Sequence, residues 1–465
     1  MRAVERVPAA ASTGRALPQP AQGRRFVHLA SRTRLGDLDP ASAVLPHIPK
    51  DESMIGQTFL QAPFLLALLA LGTGTPEVAV DAPVTPAAES PAGAPAAREL
   101  LALRADVVHL GDGRTVENGT VLIEDGRIRA VGASVDVPSG TPTVQLHGHL
   151  APGFVLPHSS LLPIAERFDA TRGFLPDAAI VHAFRPESDA LSKALAAGVT
   201  TVVLAPTEGN VVGGVTGVVK TAGGRVLKRR AHLALSMSNA AVDDRRFPTS
   251  FSGLTTELRR LFTAGEGVYG EVKSGTLPVL VAARERHHVA RAVDLGAEMG
   301  FKGALIGAAL AGEQLDILDK SGWTVVFETP GPNINTRIQE AMADYAKSGN
   351  PFAFSYVDAD GMRMATAQLL RRGVSPDAVL RALTVTGAQV AGVGGRVGQI
   401  ERGFDADLVL WSGHPLELSS APVVVYVDGK AVHRASTRPA STRPASTRPA
   451  STRAKADTKH TGANR

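Results

Sequence analysis

Histidines, a lysine and carboxylates at close spacing are the residues of this chain whose types suit chemistry, and the chemistry they suggest is metal binding. His147-Gly-His149 is an intact His-x-His, the spacing at which two imidazoles leave one face of a strand. As an isolated motif on a strand that precedes the α/β region, it is read as no metal site. His287 and His288 are adjacent on a helical segment. They therefore point about 100° apart, cannot chelate together and read as surface residues. His182 in AAIVHAF reads as a semi-buried histidine with its hydrogen bonds met. Lys220 is a candidate carbamate-forming or charge-balancing lysine, and a solvated or ion-paired role is preferred because no histidine partners it in sequence. Asp405 and Asp407 in GFDADL are turn residues opening a strand and are assigned no chemistry. Rival chemistries are missing. There is no GxSxG elbow and no P-loop, and Gly213, Gly214 and Gly217 lack the spacing of a dinucleotide site. Ser159 and Ser160 are next to His158 in sequence, which is not the geometry of a serine–histidine pair.

Composition narrows the classes. With 465 residues, 44% hydrophobic and 20% charged, the chain has the make-up of a globular protein with ample core. The formal net charge of +5 is a property of the ends. Residues 1–53 carry eight Lys/Arg and five Asp/Glu, residues 434–465 carry eight and one, and residues 54–433 carry 33 and 38. An acidic body with scattered charge offers no phosphate-tracking stripe, which sets nucleic acid aside as a partner. The absence of cysteine removes disulfides, thiolate metal sites and cysteine nucleophiles.

The elements that must position the candidate residues fall into blocks. Residues 1–53 are rich in Arg, Ala and Pro without a period and read as a disordered or mis-assigned start. Residues 54–73 contain FLQAPFLLALLALG, the length of a signal-peptide core, and 74–98 form an Ala/Pro-rich linker. From 99 to 151 short β-rich runs alternate with the turn dipeptides Asp112-Gly113, Asn118-Gly119 and Asp125-Gly126. A second β block at 398–434 contains Asp407–Trp411 and Val423–Val427. A small composite β-sandwich built from both ends of the chain is therefore expected. Over 152–397 strands alternate with helices, the pattern of a parallel sheet with crossovers. Seven candidate strands, from Phe154–His158 to Pro351–Val357, predict a (β/α)8 TIM barrel with one strand unread. Pro376–Val390, capped by Ser375, is expected to be one helix. The tail, 435–465, holds four copies of ASTR and is too polar to bury a core.

Several blocks resemble one family. GDGRTVENGTVLIEDGRIRAVG at 111–132, APGFVLPHSS at 151–160, ALAAGVTTVVLAP at 194–206, RVGQIERGFDADLVLWSGHPL at 396–416 and VVVYVDGKAVHR at 423–434 are similar to the amidohydrolase superfamily, in particular its imidazolonepropionase-like members. Gly213-Gly214 with Gly217 and Lys220 is similar to a glycine-rich stretch that such proteins carry after the second strand. The resemblance implies a barrel with a divalent metal such as zinc at the carboxyl ends of its strands. That metal lowers the pKa of bound water to about 7 for attack on the C–N bond of an amide or cyclic amide. It also implies where the ligands belong. The first strand of the family reads PGFIDxHxH; here Leu156 stands for the aspartate, His158 for the first histidine and Ser160 for the second. LPVLVAARERHHV places Ala282 and Arg284 at a later His-x-His, and ALIGAALAGEQL places Gly307 and Ala308 at the next histidine. PFAFSYVDADG places Val357 at the catalytic aspartate, with Asp358 one residue late, a slip that reverses the face of a strand. His158 and Asp358 remain as candidate metal ligands, Asp358 as the candidate catalytic carboxylate, and Lys220 as a third candidate. A catalytic zinc takes three protein ligands.

Three functions follow. The first is a family member that keeps the fold, has lost or nearly lost hydrolysis, and binds a small molecule at the barrel mouth or pairs with an active relative or a second copy. The second is a C–N hydrolase whose rearranged metal site uses His158, Asp358 and Lys220. The third is an exported scaffold whose tail makes the contacts. The signal-like segment points to export, with a cytoplasmic location as the alternative.

Overall fold

Two alternating patterns, one from each class of strand, build the architecture of this computed structural model, which describes residues 98–328 and 335–435. The expected N-terminal extension, the signal-like segment, nearly all of the linker and the tail from 436 onward lie outside the described residues. The described residues fall within one compact unit of the chain.

The N-terminal strands are β1 (Leu100–His109), β2 (Thr115–Glu124), β3 (Arg127–Gly132) and β4 (Thr143–Pro152). The barrel strands follow as β5 (Phe154–Ser159), β6 (Val199–Leu204), β7 (Val212–Val215), β8 (Gly217–Lys220), β9 (Val226–Lys228), β10 (Leu233–Ser236), β11 (Val279–Ala282), β12 (Gly303–Ile306), β13 (Thr324–Phe327) and β14 (Phe352–Phe354). The chain closes with β15 (Leu408–Trp411), β16 (Pro422–Val427) and β17 (Lys430–Arg434).

The two chain ends share one seven-stranded sheet, ordered β17-β16-β15-β4-β1-β2-β3. The β2–β3 end of the sheet bends over to the segment that enters β15: Ile128 N donates to Phe404 O at 2.8 Å and Ala406 N to Gly126 O at 2.8 Å. Leu103, Val121, Ile123, Leu150, Leu408 and Tyr426 fill the space between. This is the composite sandwich, and the antiparallel contact of β4 with β15 is what joins the ends.

The barrel is a ring. β10 to β14 are parallel neighbours, β5 and β6 are parallel, and Tyr356 N donates to His158 O at 2.8 Å to join the end of β14 to β5. The strand not read from sequence is β7–β8. It runs antiparallel to β6 on one side and to β10 on the other, so among the described residues seven parallel strands and one antiparallel arm make the circle. Glycine explains both its place and its invisibility. Gly214 has φ +95°, and a Cβ there would lie 2.3 Å from the Ala178 carbonyl oxygen. Three glycines in six residues leave no alternation of side chains to read. The expected helix over 376–390 is two, Pro376–Leu383 and Val385–Val390, broken at Thr384. The second half presses onto β5 so closely that a Cβ on Gly387 would lie 1.9 Å from Val155 O. Strand interiors such as Val155, Val203, Val281 and Val326 are fully buried, as parallel strands covered on both faces require.

Candidate ligand site at the barrel mouth

Strand ends place the site. A cavity of about 210 Å³ lies where β5, β6, β11, β12 and β13 finish, and its walls include His158, Arg167, Glu208, Ala282, Arg284 and Glu328. This is the end of such a barrel at which function is built, because the loops there vary without disturbing the core. Period-2 alternation puts His158 and Ser160 on the cavity, and Ala282 and Arg284 likewise. Ser159 between them turns away and donates to Val203 O at 2.8 Å.

Arg284 is the centre of the mouth. Its Nε lies 2.9 Å from both carboxylate oxygens of Glu208, while Nη1 and Nη2 donate to Glu328 at 2.5 and 3.0 Å. Burial alone would lower the pKa of this guanidinium, but the two carboxylates hold it above the usual arginine value. The triad is open to water, with side-chain exposures of 45% for Arg284, 27% for Glu208 and 30% for Glu328. Burial pushes His158 down to about 3, with further lowering by Arg167 and Arg284. The ring is therefore neutral, and its Nδ1 is buried with no hydrogen-bond partner.

A loop roofs the mouth. Arg246 lies over the Phe168 ring at 5.4 Å and donates to the carbonyls of Asp169, Arg172 and Gly209. The buried Asn210 amide donates to Asp169 O at 2.8 Å and Arg172 O at 2.6 Å. Beneath this roof Arg167 gives its Nε–H to Leu162 O at 2.8 Å. Arg167 borders both the mouth and a neighbouring cavity of about 370 Å³. Among the described residues no carboxylate stands within ion-pairing distance of it, and burial lowers its pKa.

The other residues named from sequence lie elsewhere. Asp358 caps the helix Ala359–Arg371, its Oδ1 accepting from Gly361 N at 2.7 Å. It faces a separate groove with Asp189, Lys193 and Arg363, not the cavity of His158. Lys220 is fully buried at the seam between barrel and sandwich. Its Nζ lies 2.8 Å from Asp405, 3.0 Å from Asp407 and 2.5 Å from Asp428. The three candidates thus lie in three different places, His158 on the mouth cavity, Asp358 on a separate groove and Lys220 in the buried seam. Asp405 and Asp407, given no role from sequence, hold that lysine. In His147-x-His149 the first ring is exposed beside Asp106, while His149 Nδ1 meets His109 Nε2 at 2.9 Å with His414 alongside. His288, expected at the surface, is buried and accepts from Glu285 N at 3.3 Å to cap its helix. His182, expected to be semi-buried, is exposed.

The donor set does not fit a divalent cation. His158 offers one lone pair, Ser160 a neutral hydroxyl, Ala282 nothing, and Arg284 a positive charge where a ligand should be. Among the described residues no group of three or more His, Asp or Glu side chains is arranged around a common point for a metal. Glu208, Glu328 and Arg167 were not singled out from sequence. The signal that finds them is position: each carboxylate lies within a few residues of the end of a barrel strand.

The chain was compared with known proteins. Residues 325–432 match the model of the amidohydrolase family. Imidazolonepropionase of Vibrio cholerae is 25% identical over 360 residues, 65% of this chain and 89% of that protein. The amidohydrolase tasK of Hapsidospora irregularis is 37% identical over 75 residues, only 8% of its length. Among solved structures, an amidohydrolase from Thermotoga maritima superposes with a TM-score of 0.65 at 25% identity, covering 72% of this chain and all of that one. Molinate hydrolase gives a TM-score of 0.50 at 16% identity over 72% of this chain and 94% of its own, a likeness of fold alone.

Proposed function

We propose, from the premise that this chain belongs to the amidohydrolase superfamily, that its barrel mouth binds a small organic anion and no longer carries out metal-assisted hydrolysis. The observation that carries this reading is Arg284, whose guanidinium is fixed between Glu208 and Glu328 at a position the family resemblance assigns to a histidine ligand. A dication placed beside it would meet a like charge and lose both carboxylates to the arginine. Hydrolysis of an amide needs water activated at neutral pH, and a single neutral imidazole with no oriented acidic partner supplies little of that. Binding is another matter. Arg167 supports an anionic ligand, since a partly buried guanidinium without a carboxylate is stabilised by one brought from outside.

Elemental analysis of the full chain after dialysis against excess zinc tests the first half. No retained metal is expected; near-stoichiometric zinc, lost on His158→Ala, sinks the reading. A thermal-shift screen of small carboxylic acids tests the second, with a shift expected that Arg167→Gln removes. Pairing with a second copy or an active relative, and export, belong to the same proposal. Size-exclusion chromatography and cell fractionation check them.

A further inference from the structure

We infer that the groove beside Asp358 is a docking site for this chain's own basic tail, and that the arginines and prolines of the ASTRP repeats are what it holds. The inference goes beyond the reading of the mouth and does not depend on it, since the groove is lined by other residues.

Three observations carry it. First, the groove has a volume of about 990 Å³, and apolar side chains stand in it without cover. Val357 and Leu418 are 48% and 55% exposed, and Leu161 and Pro422 join them on its wall. Exposed apolar side chains grouped in this way mark an interaction site, as scattered ones do not. The ring of Tyr356, only 2% exposed, lines the same groove, and its hydroxyl has no hydrogen-bond partner among the described residues. Burial, then the charges of Asp358 and Asp360, push that hydroxyl up to about 12, so it is a donor at neutral pH. A buried donor calls for an acceptor, and a backbone carbonyl of an entering chain supplies one. Second, the charge of the groove is unanswered. Asp189, Asp358 and Asp360 line it, and none of them makes an ion pair among the described residues. Of the two cations there, Arg363 donates to the carbonyls of Glu417, Leu418 and Ser420, and Lys193 has no carboxylate partner. Third, the tail starts at the groove. Ala435 N donates to Val423 O at 2.9 Å, next to the Pro422 that forms part of the wall. Residues 436–465, which lie outside the described residues, carry seven Lys/Arg against one Asp. Arg438-Pro439, Arg443-Pro444 and Arg448-Pro449 recur at intervals of five. Arg438 is three residues from Ala435, a reach of at most about 11 Å.

The chemistry matches part by part. Arginine is the cation that pairs with carboxylates in a fixed fork, and proline and alanine are apolar enough to cover Val357 and Leu418. Proline disfavours the helix in the residue before it, and proline-rich segments dock in aromatic-lined grooves because little backbone freedom is left to lose. Tethering at the wall supplies an effective concentration of about millimolar, so contacts that are weak singly suffice.

The chain has no cysteine, so Ser441→Cys in the full chain gives a single site for a nitroxide spin label. The label should show a slow, docked component whose share does not change with protein concentration. Asp189→Asn with Asp360→Asn should raise the ratio of mobile to docked label by roughly two- to fivefold, the range open to partly exposed ion pairs. High salt should act in the same direction. Tyr356→Phe should raise the ratio by a similar factor through the lost hydrogen bond, about two- to tenfold. Replacing Arg438, Arg443, Arg448 and Arg453 together by Gln should leave mobile label only. If the double aspartate variant is recovered poorly, Tyr356→Phe and the arginine replacements decide the matter, because they leave both helix starts untouched. A label that is mobile in the parent chain overturns the inference. A docked label that none of the groove variants releases also overturns it, since the tail then lies elsewhere. Docking that strengthens with concentration does the same, because the occupant is then the tail of a second copy. None of these outcomes bears on metal content or acid binding at the mouth, so this inference and the proposed function fail separately.

Discussion

Lys220 and Arg284 are both single cations facing several carboxylates, and they differ in how much water surrounds them. Lys220 is fully buried, and Asp405 and Asp407 beside it are each 2% exposed. Arg396 pairs with Asp405 and Arg225 with Asp428, both at 2.8 Å, and Arg127 with Asp405 at 3.9 Å, so the seam holds three carboxylates among four cations. Arg284 has two carboxylates and is nearly half exposed. A buried charge must find partners because its desolvation is otherwise unanswered; an exposed one finds them at little gain because water serves almost as well. The same chemistry is thus a structural pin at the seam and a solvated ion network at the mouth. Lys220 on β8 thereby ties the barrel to Asp405, Asp407 and Asp428 of the C-terminal block.

The comparison predicts its largest effect at the seam. Lys220→Met leaves Asp405 and Asp407 buried without their central cation, and breaking a buried ion cluster in this way costs about 3–5 kcal/mol. Urea unfolding of the variant should show that loss as a lower midpoint at similar slope. A loss below about 1 kcal/mol would mean that water reaches the cluster and that the two sites are alike.

Acid should act on the two regions with opposite signs. Burial pushes Asp407 up to about 6, against the pull of Lys220, while the unfolded chain ionises it near 3.8. Its stabilising contribution is fully present below 3.8 and is lost as pH rises through about 6. His158 is held down to about 3 against an unfolded value of 6.5. Between those values the unfolded chain binds the extra proton, so this contribution is present above 6.5 and is lost as pH falls. Replacing His158 by Gln should flatten the acid loss of stability between pH 6.5 and 5 by roughly 1.5 kcal/mol. Asp407→Asn should steepen it. Unfolding midpoints at the two pH values read both, and a shared sign would remove the distinction.

Much of this arrangement was legible beforehand, and the illegible part has a physical cause. The parallel strands run where apolar, β-branched segments lie between turn signals, because burial on both faces leaves a strong mark on composition. The antiparallel arm β7–β8 left none, since its glycines are there for backbone approach and carry no side-chain pattern. At the site, Arg284 and His158 were located through the family resemblance. Their partners Glu208 and Glu328 were not, because a loop carboxylate near a strand end looks like any solvated one until the ring closes and brings them together. The capping role of Asp358 went unread for a related reason. An Asp three residues before a backbone N–H at a helix start is first of all a cap.

That cap gives the next prediction in size. Asp358→Ala should cost about 1 kcal/mol through the loss of the bond to Gly361 N. It should leave ligand binding at the mouth and metal content unchanged. A change in either would restore Asp358 to the site and blur the line between mouth and scaffold.

The smallest effect belongs to the mouth itself. In metal-free buffer Arg284→Ala removes bonds that are geometrically good but face solvent, and exposed ion pairs contribute roughly 0–1 kcal/mol. Two carboxylates released from the guanidinium regain hydration, and their mutual repulsion is screened over about 10 Å at 0.1 M salt. Stability of the variant should therefore fall by less than about 1 kcal/mol and approach the native value as salt is raised. The matched measurement is urea unfolding of Arg284→Ala and Lys220→Met at low and high salt. If removing Arg284 costs as much as removing Lys220, the mouth triad is a pin like the seam despite its exposure. If it costs little, the mouth triad is a solvated ion network that adds little to the stability of the barrel, unlike the buried cluster at the seam.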